Sequence, residues 1–363
     1  MSDAIDLREL ATIHNADNRD AFLSVYLDRS DPNHDTLVRT RIRQIRRATE
    51  DDEIAKQLEA GLERILSASA NLEGSVRAIA GFVDLLGDFV RVAGFGNVFP
   101  TRVILDASPY IQPLALHLDA YESYYLVLLD SQQAEVHLVE GTLAAEQFSE
   151  EHEAKGAHDQ GGFSQLRFQA MRETIVQQYY DRIAEGLDRL LDEQALKIVV
   201  AGPGVAKKHF VERLSKRAAE HVVAVEDLDS MARFSRAVQS FSEIVREAEE
   251  AEEQVYLARL RKAIKMTPHL TAMGIYEILE AAESGRIHTL LVRNDHSIAG
   301  RKDEATGTFL RRPGDVTESG SEGNEVDLVE EAIEACVRSS SHVEFTQDPY
   351  LHEVGGIAAL LRW

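Results

Sequence analysis

A single cysteine in 363 residues, Cys336, rules out an intramolecular disulfide and any cysteine-held zinc cluster. Its residue type and apolar neighbours read as a small buried hydrophobe on a helix. No apolar run reaches the roughly 18 residues that cross a bilayer, so no membrane contact is expected. The start Met1-Ser2-Asp3-Ala4-Ile5-Asp6 is acidic and lacks a basic stretch followed by an apolar one. No signal peptide is therefore expected, and the expected compartment is the cytoplasm. The histidines, among them His137, His209, His221, His288 and His296, form neither a His-x-x-x-His nor a His-Glu-x-x-His pattern, so no metal is expected. Gly202-Pro203-Gly204 matches neither glycine-rich nucleotide fingerprint and reads as a plain turn, and no cofactor is expected. No Ser-His-Asp assignment follows from spacing, since triads are spatial. Cations are also scarce: 39 Lys and Arg against 62 Asp and Glu leave a formal charge of −23. Nucleic-acid binders are normally basic, so such a role would require the charge to be segregated. Arginine far outnumbers lysine, which suits a high-salt or a GC-rich source alike.

The composition present, 44% hydrophobic and 28% charged, is that of a globular chain, and the length calls for two or three domains. Ala21 to Leu27 reads as a strand. From Asp35 to Leu66 apolar residues recur every three or four positions, giving helix with a break near Glu50 to Glu53. Strands are expected at Val76–Val83, Phe89–Phe95 and Thr101–Leu105, ended by Pro109 and Pro113. Tyr124–Asp130 and Ala134–Gly141 read as a hairpin. Phe168, Met171, Ile175, Tyr179, Ile183, Leu187 and Leu190 mark one long amphipathic helix. Lys197–Ala201 is a buried strand, and Phe241–Ile264 a charged connecting helix. Beyond Met266 come a helix, the strand Ile287–Val292, a long mobile loop at Gly300–Asn324, a helix at Val326–Ser339 and a strand at Val343–Phe345. The expectation is an α/β (α+β multidomain) chain whose sheets pack with helices, in three domains: 1–118, 119–265 and 266–363.

Two segments carry the functional signal. Gly161-Gly162 frees the backbone of a loop that runs into Ser164-Gln165-Leu166-Arg167-Phe168-Gln169-Ala170-Met171-Arg172, a helix start offering Arg167 and Arg172 to phosphates. Taken alone, it could equally be a flexible connection capped by Ser164. The run Arg39, Arg41, Arg43, Arg46, Arg47 is the strongest basic patch in the chain; it is either a solvated face paired with nearby acids or an RNA-facing surface.

The order of features resembles the archaeal and eukaryotic class-1 peptide-release factors, with Pelota-type and bacterial homologues of that family. That family's central domain carries Gly-Gly-Gln followed by Ser-x-Leu-Arg-Phe-x-x-x-Arg, and residues 161–172 match every fixed position except the glutamine, where Phe163 stands. Val199–Gly204, Gly274–Glu277 and Gly355–Trp363 are similar to its later modules. The resemblance implies a tRNA-mimicking arrangement in which the first domain enters the decoding centre, the second reaches the peptidyl-transferase centre and the third meets a translational GTPase of elongation-factor type.

Two departures shape the functional expectation. The stop-codon-reading Asn-Ile-Lys-Ser and Tyr-x-Cys-x-x-x-Phe motifs are absent, so codon-specific termination is not expected. Phe163 keeps a backbone donor for an oxyanion but lacks the amide side chain that would orient water. The resemblance thus implies binding to the ribosomal A site and its ribosomal RNA without hydrolysis, as a hibernation or stalled-ribosome factor. The enzymatic alternative is a codon-independent peptidyl-tRNA hydrolase serving ribosome rescue through Gln165. An off-ribosome RNA-processing or interaction role on the same scaffold is the third.

Overall fold

The computed structural model describes residues 5–15, 18–72, 76–130, 132–141, 143–151, 164–228, 234–303, 306–312, 315–317, 320 and 322–363. Its contacts gather into two compact units, one of Met1–Ala120 with Ala251–Trp363, the other of Tyr121–Glu250. The three-domain division at 118/119 and 265/266 remains a proposal about modules; the first and third of those segments share one of these units.

The first segment begins with α1 (Leu7–Ala11), β1 (Phe22–Asp28), α2 (His34–Ala48) and α3 (Asp52–Ser69). It continues through β2 (Ala78–Asp84), β3 (Val90–Phe95), β4 (Arg102–Asp106) and α4 (Gln112–Ala120). The break between α2 and α3 falls at Thr49 to Asp51, where the Asp51 carboxylate accepts from the backbone N–H groups of Glu53 and Ile54 and so starts the second helix. The strands form one antiparallel sheet ordered β3-β2-β1-β4. Helices α2 and α3 cover one face through Val38, Ile42, Ile54, Leu58, Leu62 and Ile65. The other face places Tyr26, Ala78, Ala80 and Phe82 in a core shared with the last segment of the chain. Burial on both faces explains why β1 reads as a continuous apolar run instead of alternating.

The second unit holds β5 (Tyr124–Leu129), β6 (Gln133–Glu140), β7 (Leu143–Glu151), α5 (Ser164–Glu193), β8 (Lys197–Gly202), α6 (Ala206–Val211), α7 (Lys216–His221) and β9 (Val222–Asp227). Its five-stranded mixed sheet is ordered β7-β6-β5-β8-β9. Helix α5 buries Tyr179, Ile183, Leu187 and Leu191 on one face. The first half of α8 (Phe234–Met266) buries Val238, Phe241 and Val245 on the other. The plain turn at 202–204 is held from within: buried Lys207 donates through Nζ to the carbonyls of Gly202 (3.1 Å) and Gly204 (2.7 Å) and pairs with Asp227. Strand β7 falls outside the expected hairpin because most of its side chains face solvent, which erases the apolar alternation.

The last segment supplies the second half of α8, then β10 (Thr271–Met273), α9 (Ile275–Glu283), β11 (Ile287–Arg293), β12 (Ala299–Asp303), β13 (Thr308–Leu310) and β14 (Asn324–Asp327). It ends with α10 (Leu328–Arg338), β15 (His342–Thr346), α11 (Pro349–Glu353) and β16 (Ile357–Leu361). The main sheet is ordered β10-β16-β11-β15, with β11 and β15 parallel. Helices α9 and α10 pack on one side, while Leu257 and Leu260 of α8 and Leu351 of α11 pack on the other. The expected loop at 300–324 is corrected in part: β12 runs into it, β13 falls within it and β14 starts at its end, and the three form an antiparallel sheet. Its strands are short and polar, so no period-two signal marks them. Gly300 stands where a Cβ would overlap the Leu328 side chain.

The first and last segments join through buried polar contacts as well as apolar ones. The Glu330 carboxylate accepts from the backbone N–H groups of Ile111 and Gln112 (2.9 Å for Gln112), capping the start of α4. Ser108 Oγ donates to Glu334 at 2.7 Å, and Arg338 reaches the Ala11 carbonyl at 3.2 Å.

Candidate functional site

Helix α2 divides the basic run by its geometry. Its inner face, Val38 and Ile42, fixes which arginines point where. Arg39 and Arg46 lie on the flank beside α3 and pair with Glu63 (2.8 Å) and Glu59 (3.5 Å). Arg41, Arg43 and Arg47 are exposed and carry no ion pair among the described residues; Arg41 only donates to Gln44 at 3.3 Å. Two of the five cations are therefore neutralised, and three carry no ion pair among the described residues.

Arg41 lines a cavity of about 670 Å³ between α2, the edge strand β4 and the start of α10. Leu37, Val103 and Ile104 give it apolar walls, while Thr36, Thr40, Thr101 and Gln44 supply hydroxyl and amide groups. Arg102, in register with Tyr26 on β1, brings a second guanidinium without an ion pair among the described residues. Tyr110 and Asp327 complete the lining. Tyr110 is held in place because its N–H donates to Ser24 Oγ (2.9 Å), its carbonyl accepts from the Tyr26 hydroxyl (2.6 Å), and its own hydroxyl donates to Asp327 at 3.0 Å. Burial, then the Glu330 and Asp327 carboxylates, push the Tyr110 phenol far above its ordinary value, so it stays a neutral donor.

Two guanidiniums over an apolar floor, ringed by hydroxyls and one carboxylate, suit a phosphate-bearing ligand with a flat, hydrogen-bonding body. The grouping of Arg102 and Tyr110 with Asp327 escapes a linear reading because Asp327 lies 217 positions beyond Tyr110. Arg102, an isolated cation at the start of a strand, looks like any solvated edge residue.

The loop residues Gly161, Gly162 and Phe163 lie outside the described residues. Gln165, Arg167 and Arg172 fall within α5, but their side chains are also outside the described set. Among the described residues no cluster of His, Cys, Asp and Glu has metal-holding geometry, and no helix is long and apolar enough to cross a membrane.

The fold is thus that of a multidomain α/β protein, with Arg41, Arg102 and Asp327 on one cavity. Residues 109–253 match the family described as bacterial archaeo-eukaryotic release factor family 10. It is similar to peptide chain release factor subunit 1 of Archaeoglobus fulgidus, 26% identical over 84% of this chain and 83% of that protein. It is also similar to the protein pelota homolog of Methanopyrus kandleri, 28% identical over 53% of this chain and 51% of that one. Among solved structures, archaeal Pelota described as ribosome-bound with ABCE1 aligns at a TM-score of 0.46 and 21% identity, over 79% and 77% of the two chains.

Proposed function

We propose that this chain binds the ribosomal A site without reading stop codons and without cleaving peptidyl-tRNA, as a hibernation or stalled-ribosome factor. The observation that carries the reading is that Arg41 and Arg102 line one cavity, with Arg43 and Arg47 exposed on the same helix as Arg41, in a chain of charge −23. These groups offer the phosphate contacts that ribosomal RNA requires. Phe163 in the glutamine position supports occupancy over hydrolysis, because its side chain cannot orient a water. The peptidyl-transferase centre is the proposed destination of the 161–172 segment, and a translational GTPase of elongation-factor type is the proposed partner of the 266–363 segment.

Co-sedimentation with purified ribosomes tests the proposal. Wild type is expected to pellet with ribosomes, and Arg41→Gln/Arg43→Gln/Arg47→Gln to lose at least tenfold in affinity, with a shallower salt dependence. Wild-type protein left in the supernatant with both empty and stalled ribosomes discards the reading. Gln165, two positions beyond Phe163, keeps one hydrolytic alternative in view. Peptide release from stalled ribosomes that exceeds background in wild type and falls in Gln165→Ala would favour it.

A further inference from the structure

A second pair of arginines without ion pairs among the described residues, Arg259 and Arg362, lies far from α2 along the sequence. At one end of the main sheet of the last segment, β11 begins, β15 begins parallel to it and β16 ends. The backbone fixes this convergence: Thr289 is in register with both His342 and Leu360, and the Arg362 N–H donates to the Arg286 carbonyl at 2.8 Å. An irregularity in the β11–β16 register falls at His288, which is exposed and whose Nδ1 sits 2.8 Å from Thr289 Oγ1.

Helix α8 closes the group. The Tyr256 ring lies 4.9 Å from the His342 ring at 32°, and the Arg259 guanidinium lies over the same tyrosine at 5.9 Å. Arg259, His288, His342 and Arg362 thus face solvent together. A carboxylate, Glu344, is buried beside them, 2.9 Å from His342 Nε2. Partial burial, then the charges of Arg259, Arg362 and His342, hold the His288 imidazole below its ordinary value, as expected where cations crowd together.

Several other arginines of this segment are neutralised by nearby acids. Arg261 pairs with Asp348 (3.0 Å), Arg293 with Asp295 (2.8 Å), Arg311 with Glu280 (3.3 Å) and Arg338 with Glu283 (3.1 Å). Arg286 and Arg312 are, like Arg259 and Arg362, without an ion pair among the described residues, but only the latter two stand with two exposed imidazoles at one sheet end.

We infer that this sheet end, formed by Arg259, His288, His342 and Arg362, is a second RNA-binding surface that grips the phosphate backbone. Two planar guanidiniums and two imidazoles at one edge, with the exposed indole of Trp363 next along the chain, present charge and flat stacking faces together. An acidic protein surface would use the charge but not the stacking faces, so RNA is the occupant favoured. The inference rests on the ribosome-binding reading for its setting alone, since binding to naked RNA is measured separately from binding to ribosomes.

The test uses full-length protein already carrying the three α2 substitutions to glutamine, so that only this surface is read. Fluorescence anisotropy with a short labelled single-stranded RNA is compared for that protein, for added Arg259→Gln/Arg362→Gln and for added Arg259→Lys/Arg362→Lys. All three are checked for an unchanged melting temperature. The glutamine pair is expected to bind at least tenfold more weakly and to lower the log–log salt slope by about 1.4, two contacts at roughly 0.7 each on a single strand. The lysine pair is expected to keep most of the slope. Equal affinity and slope in all three proteins would overturn the inference. So would tighter binding to labelled polyglutamate than to RNA, lost in the glutamine pair, which would assign the surface to an acidic protein.

Discussion

Single residues decide several of the close approaches in this structure. At Gly202 a Cβ would overlap the Leu129 carbonyl oxygen, a backbone atom that cannot swing aside, and Gly204 takes a φ of +61°. Gly202→Ala is expected to destabilise the protein by at least the roughly 1–3 kcal/mol of ordinary overpacking, read as a lower urea midpoint. Glu334 makes a different prediction. Burial, aided by the Glu331 charge and opposed by Ser108 and Arg338, raises its carboxyl from 4.5 to about 8. The folded state therefore holds a proton that the unfolded state releases. The stabilisation this confers is full below about pH 4.5 and is lost as pH rises through about 8. Against Glu334→Gln, the wild-type melting temperature should fall more steeply between those limits; parallel curves would refute the assignment. Neither acid was legible as buried, because Glu330 and Glu334 belong to an acidic stretch that by pattern alone reads as solvated.

At the scale of elements, period and breaks were the informative signals. The 34–69 region announced two helices because Val38 and Ile42, then Ile54, Leu58, Leu62 and Ile65, repeat on either side of Asp51. The division of the arginines on α2 was not legible, since it depends on which acids α3 brings alongside. Helix α4 was missed because Pro109 and Pro113 look like strand terminators. Pro113 instead occupies the first turn, where the missing N–H costs nothing. The start of that helix depends on a residue more than two hundred positions away: Glu330→Ala would leave the N–H groups of Ile111 and Gln112 without their acceptor. At about 1–3 kcal/mol for each orphaned donor, the loss should exceed that of Glu330→Gln, which keeps one acceptor oxygen. Denaturant unfolding of the two variants checks the order.

At the scale of the molecule, fold class and family signature could be read from the sequence, whereas the sharing of one core by both ends of the chain could not. Tyr26, Phe82, Ile111 and Leu114 lie in the same apolar cluster as Ile278, Ile287, Val329 and Ile333, and no periodicity reports a contact between such distant positions. A fragment of residues 1–120 is therefore expected to expose that apolar face and to aggregate or bind a hydrophobic dye. A fragment of residues 121–250 should give a cooperative melt, and co-expression of 1–120 with 251–363 should restore a soluble complex. Size-exclusion chromatography and circular dichroism distinguish these outcomes. A cooperatively folded 1–120 fragment would show that the shared core is dispensable.

The shared core also imposes an order on synthesis. The first sheet leaves a ribosome with one apolar face unmatched, and its partner, ending at β16, is made last. The inserted unit between them can close while the first segment waits, so the final strand is also the one that completes the first lobe. A pause in translation after residue 250 would hold a folded middle flanked by an unfinished beginning, and in that interval the nascent chain would depend most on chaperones.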